Sequence, residues 1–261
     1  MKKQVFLIPV DFTDVTENAI KYALRMSTTE DEIVLLHIEG ELNKPVTEYT
    51  MGILKDKYTK GYSGKITTSI VSGKIELEIG KAAESFGADL IIMGTHGEDF
   101  FQKIFGSKAI EVVSNSKTPF IVVQHETSFK SMKKIVMTID SKRKSMKVIE
   151  AVSKLCLHYD AELVLVGASH LINEDWKDIN SNIQIALKAL LEKNIKCSTK
   201  LLNMTSFNED LITYSEENDI DMIALAYYPD TEHLISGKFA QHLLNNKLVL
   251  PVLIIDAKTG V

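Results

Sequence analysis

The stretch GTHGEDFFQKIFGS, residues 94 to 107, sets Gly94 and Gly97 two residues apart and then, after eight more, Gly106 followed by Ser107. Glycine lets the backbone approach a phosphate closely, and the free N–H groups at a helix N-terminus carry partial positive charge. The pattern SKAIEVVSN, starting at Ser107, reads as a helix, so Gly106 and Ser107 stand where an anion would be held. The same glycines would also serve a tight crossover from strand to helix, so the spacing alone leaves a phosphate cradle and a plain turn both open. Between them, Glu98 and Asp99 would repel a triphosphate unless a divalent ion, or Lys103 and Lys108, offset their charge. Phe100, Phe101 and Phe105 read as core or interface residues, and His96 as a turn residue.

These residues need a scaffold. In the first half, short β-branched apolar runs at 4–10, 33–38, 66–71, 90–93 and 120–124 alternate with helical patterns. Runs apolar on both faces imply strands covered on both sides, hence a parallel sheet. Between strands, TENAIKYALRM puts Ala19, Ile20, Ala23 and Leu24 on one helical face, and IELEIGKAAESFG does so with Ile75, Ile79 and Ala83 before a C-cap at Gly87. The second half repeats the pattern, with strands near 134–139, 162–168, 197–202, 222–226 and 252–255. The long helical segment DWKDINSNIQIALKALLEKN follows its second strand.

The halves also match residue by residue. KKQVFLIPVD returns as KKIVMTID, ADLIIMG as IDMIALA, and TPFIVVQ as LPVLIID. Asp11 and Asp140 are offset by 129 positions, Asp89 and Asp221 by 132, and Pro119 and Pro251 by 132. The expected fold class is therefore α/β: two tandem doubly wound units, each a five-stranded parallel sheet with helices on both faces. The expected domains are 1–127 and 132–261, joined through ETSFKSMKK. Open parallel sheets bind ligands beyond the carboxyl ends of their strands, where strand order reverses. That rule gathers Pro9, Asp11, Ile38, Gly73, Met93 and Gly94 at one edge. There Asp11 either accepts hydrogen bonds from a ligand or caps the helix at 13–26, a task Thr13 can also take.

Composition narrows the choices. With 45% hydrophobic and 25% charged residues the chain of 261 is an ordinary globular sequence. A net charge of −5, from 30 basic and 35 acidic residues, offers no basic footprint for nucleic acid. Cys156 and Cys197 lack partners at metal-ligand spacing and read as reduced, structural thiols. The opening MKKQVFLIPVDF begins like a signal peptide, but Asp11 interrupts its apolar run and no small-residue cleavage site follows. No stretch reaches the roughly 20 apolar residues of a membrane span, and a cytoplasmic location with no membrane partner is expected.

Taken together, PVDFT after the first strand, LLHI on the second, ADLIIMGTHG on the fourth, GS before the last helix and TPFIVV on the fifth resemble the universal stress protein family. The whole chain resembles the family's tandem form. The resemblance implies a stress-response protein and, as cofactor, ATP alone or with magnesium. Its ATP-binding members share Gly, two residues, Gly, nine residues, then Gly and Ser or Thr. Gly94, Gly97, Gly106 and Ser107 match that order, but with eight residues in place of nine, which shortens the loop's reach by at most about 3.5 Å. The resemblance puts adenosine contacts on Pro9, Asp11 and Ile38. It puts ribose and phosphate contacts on Met93, Gly94, Gly97, Gly106, Ser107 and the backbone of Lys108.

In the second half, AYYP (Ala226 to Pro229) stands where GTHG stands in the first, and Gly237 is followed by Lys238. Tyrosines and a proline without a backbone donor do not admit a phosphate, so that site reads as degenerate and Asp140 as a helix cap. Three functions compete. One is a protein that binds an adenine nucleotide in its first domain and signals by conformation or association. Another is an enzyme, for which the sequence offers no acid and base pair at reaction spacing and at most slow ATP hydrolysis. The last is a nucleotide-free interaction module. A homo-oligomer and a separate protein partner are both left open.

Overall fold

The computed structural model describes residues 3–39, 48–95, 112–142, 146–169, 175–227 and 237–256. Its strands form where the apolar runs lie. In the first unit they are β1 (Val5–Val10), β2 (Glu32–Glu39), β3 (Lys65–Ser72), β4 (Leu90–Thr95) and β5 (Phe120–Gln124), with helices α1 (Asp14–Met26), α2 (Glu48–Thr59) and α3 (Ile75–Phe86). The second unit has β6 (Lys134–Ile139), β7 (Glu162–Ser169), β8 (Cys197–Asn203), β9 (Met222–Tyr227) and β10 (Val252–Asp256). Its helices are α4 (Met146–Tyr159), α5 (Asp175–Glu192), α6 (Phe207–Glu217) and α7 (Gly237–Leu244). The two compact units divide at Phe129 and Lys130.

Within the first unit the strands run β3-β2-β1-β4-β5, all neighbours parallel. The second runs β8-β7-β6-β9-β10, again parallel throughout. Order therefore reverses beside β1 and β6, and right-handed crossovers in opposite directions cover opposite faces of each sheet. Double coverage explains the continuous apolar runs: Phe6, Leu7, Ile8, Ile33, Val34, Leu35 and Leu36 are all fully buried.

The recurring aspartate and proline have the same task in both units. Asp89 Oδ2 accepts from Val5 N (2.9 Å) while Asp89 N donates to Val5 O (2.9 Å). Asp221 Oδ2 accepts from Lys133 N and Lys134 N (2.6 and 3.0 Å), and Asp221 N donates to Lys134 O (2.9 Å). Pro119 O and Pro251 O accept from Ile91 N and Ile223 N at 2.9 and 3.1 Å. Each pair ties a strand start to its neighbour, satisfying backbone groups that a sheet end would leave open.

Helix ends follow their residues. Thr13 is the N-cap of α1, its side chain accepting from Thr16 N, and Gly87 closes α3 in the left-handed conformation (φ 61°) with Ala88 N bonded to Ala83 O. Ile79 and Ala83 are buried as the α3 face requires, but Ile75 is 38% exposed because it opens the first turn.

At the amino ends of the strands, Glu32 of β2 joins the residues that lead into β1 to strand β3. Its carboxylate takes hydrogen bonds or ion pairs from Lys3 (2.7 Å), Lys65 (2.8 Å) and Thr67 (2.7 Å). Burial pushes its pKa up, but bonds from Lys3, Lys65 and Thr67 outweigh burial and hold it at about 2 against an ordinary 4.5. A carboxylate with a depressed folded pKa contributes stability that is full above its unfolded value and fades as pH falls. Loss is therefore expected from pH 4.5 toward about 2. Glu32→Gln should flatten this part of a denaturation-midpoint profile. An unchanged slope would show the clamp to be inert.

Candidate functional site

Because β2, β1 and β4 are adjacent and parallel, their carboxyl ends share one edge. Pro9, Asp11, Ile38, Met93 and Gly94 all come to it, as does Gly73 after β3, whose N–H donates to Glu39 O (3.1 Å). Gly97, Gly106, Ser107 and Lys108 lie outside the described residues, as do His96, Glu98 and Asp99. Ile38 and Met93 are buried, at 6% and 9% exposure, Pro9 and Gly94 are half-buried, and Asp11 is exposed. The edge thus sets apolar side chains beside the exposed carboxylate of Asp11, with the half-buried Glu39 at the end of β2.

Asp11 does not cap α1 itself. Its Oδ1 accepts from Thr13 N (3.0 Å), from Thr13 Oγ1 (2.6 Å) and from the Thr16 hydroxyl. It braces the residue that does the capping. Its Oδ2 accepts from none of the described residues, so only Oδ1 is committed to the fold among them. The two uses weighed for this residue are compatible, because a carboxylate has acceptor capacity for both.

Gly94 has a structural reason. A Cβ there would lie 2.4 Å from Val15 Cγ1 and 2.4 Å from Val15 O. Only glycine lets the first turn of α1 pack this closely on the end of β4, and that approach brings the Asp11–Thr13 turn beside the β4 exit. Next along β4, Thr95 is fully buried and its Oγ1 has no hydrogen-bond partner among the described residues. Such an orphan hydroxyl costs about 1–3 kcal/mol in a buried place. Sequence reasoning passed over Thr95, since threonine at a strand end carries no signal of its own.

The second unit carries larger side chains at the corresponding positions. Tyr227 stands where Thr95 stands in the first, Ala226 where Gly94 stands, and both are buried. Tyr227 is level with Asp256 on β10, and burial, then the Asp256 charge, pushes its phenol up to about 12. Asp140 is 5% exposed and its Oδ1 accepts from Lys142 N (2.9 Å), the same local bond that Asp11 makes with Thr13 N. Tyr228 and Pro229 lie outside the described residues, and Gly237 opens α7.

Among the described residues no group of His, Cys, Asp and Glu is arranged to hold a metal, and no helix is long and apolar enough to cross a membrane. Cys156 and Cys197 are free thiols, and burial pushes Cys156 up to about 12, where little thiolate forms at neutral pH.

A sequence model of the universal stress protein family matches residues 3–124. Universal stress protein MJ0577 of Methanocaldococcus jannaschii is 31% identical over 155 residues, 47% of this chain and 95% of that protein. Universal stress protein MJ0531 of the same organism is 31% identical over 137 residues, 45% of this chain and 80% of the relative. Each match takes up about half of this chain, as two units in tandem require. Among solved structures, a universal stress protein from Archaeoglobus fulgidus superposes with a TM-score of 0.73 at 16% identity, over 98% of this chain and 100% of that one. That likeness concerns the fold.

Proposed function

The chain belongs to the universal stress protein family, and from that premise we propose that it is a cytoplasmic stress-response protein whose first unit binds an adenine nucleotide, ATP. The observation that carries this reading is Asp11. It is exposed at the carboxyl edge beside β2 and β4, with Oδ1 tied into the start of α1 and Oδ2 bonded to none of the described residues.

Pro9 and Ile38 supply apolar contact on the adenosine side, and Asp11 accepts from the adenosine. Met93 and Gly94 line the ribose and phosphate side. Gly97, Gly106, Ser107 and the Lys108 backbone complete the assignment on the strength of the glycine spacing and the resemblance. ATP supplies a triphosphate charge that Glu98 and Asp99 make expensive to hold, and a magnesium ion bound with it would offset that repulsion.

The second unit takes no nucleotide, because Tyr227 is buried where the first unit has threonine and Ala226 replaces the glycine. Binding in one unit is read out by conformation or by association, with a second copy or another protein. The test is calorimetric titration of the whole chain with Mg-ATP, which should saturate at one nucleotide per chain.

A further inference from the structure

Phe12 directly follows Asp11, and no part of the assignment above uses it. Its φ of 63° lies in the left-handed region, where a bulky residue is strained and persists only if its surroundings hold it. Its side chain is 40% exposed. A strained aromatic at the surface is a double cost for a loop position that glycine would satisfy.

The ring is nonetheless held. Its centroid lies 5.2 Å from that of His37, with the planes at 50°. His37 is itself buried, and its Nδ1 lies 2.7 Å from Val10 O. A carbonyl only accepts, so Nδ1 carries the proton and the imidazole is fixed in orientation. His37 precedes Ile38 on β2, and β2 flanks β1 on the side away from β4. The Phe12 ring therefore leans toward β2, on the side of β1 away from β4, and packs on the face of β2 that His37 presents, opposite to that of Ile38. In the second unit the residue after Asp140 is Ser141, with no aromatic ring and no left-handed backbone.

We propose that Phe12 is a stacking platform for the nucleobase and sets the first unit's preference for a base-bearing ligand over a bare polyphosphate. This rests on the nucleotide reading above and adds a residue to it. The physical basis is that the π-face of a base gains from an aromatic partner whatever its hydrogen-bonding edge.

The experiment compares the parent with Phe12→Leu and Phe12→Tyr in the full chain, titrated with Mg-ATP and separately with magnesium tripolyphosphate. Phe12→Leu should weaken ATP roughly tenfold and leave tripolyphosphate unchanged, while Phe12→Tyr should keep ATP near parental affinity. In a Trp176→Phe background, Phe12→Trp should lose fluorescence on adding ATP and not on adding tripolyphosphate. Parental ATP affinity in Phe12→Leu, or equal losses for both ligands, overturns this inference alone. A parent that binds no ATP overturns the nucleotide reading and this inference with it.

Discussion

Gly94→Ala is expected to destabilise the first unit by about 3 kcal/mol, the upper part of the usual range for overpacking. The new methyl would lie 2.4 Å from both Val15 Cγ1 and Val15 O. A side chain can rotate away, but the backbone oxygen can be relieved only by moving the first turn of α1. Val15→Ala should therefore rescue the variant in part and not completely, a coupling that a double-mutant cycle measures. Gly87→Ala is the internal control: its φ is 61°, but nothing lies within 4 Å of the added Cβ. That variant should lose only the roughly 1 kcal/mol of a left-handed alanine. Chemical denaturation reads Gly94→Ala, Val15→Ala, their combination and Gly87→Ala. Equal costs at Gly94 and Gly87 would show that the close approach of α1 to β4 relaxes freely.

Asp11→Ala is expected to weaken ATP binding by about 10- to 100-fold, since a hydrogen bond to a charged group is worth roughly 1.5–3 kcal/mol. It should also cost the fold about 1 kcal/mol through the unbraced Thr13 cap. Asp11→Asn separates the two effects. The amide oxygen can keep the bonds from Thr13 and Thr16 that Oδ1 now accepts, while the amide nitrogen replaces the Oδ2 acceptor by a donor. Stability should stay near parental and ATP affinity should still fall. An Asp11→Asn chain that binds ATP like the parent would leave Asp11 as a purely structural residue.

Much of the fold was legible because period and composition report directly on it. Both-face burial wrote itself as continuous apolar runs, and the predicted strand bounds lie within two residues of those observed. The repeats Asp89 with Asp221 and Pro119 with Pro251 marked strand starts because the same bonds recur there. Once order and direction of the strands were read, the gathering of Pro9, Asp11, Ile38, Met93 and Gly94 followed from topology.

What was not legible depends on distance. Gly94 read as a phosphate-side glycine, and nothing in its spacing told that Val15 presses on it. Phe12 carried no motif, since neither its left-handed backbone nor its packing on His37 is written in residue order. Glycines were visibly missing from AYYP, but the burial of Tyr227, at 3% exposure, was not written in residue order.

Calorimetric titration of the full chain with Mg-ATP tests the central claim most directly, because the two units share a fold and differ in this edge. Saturation at one nucleotide per chain, lost or strongly weakened in Asp11→Ala, is the expected result. Saturation at two would mean that Tyr227 yields to a ligand, contradicting the assignment of binding to the first unit alone. No heat, together with no competition at millimolar ATP, would contradict nucleotide binding altogether and leave a nucleotide-free interaction module in its place.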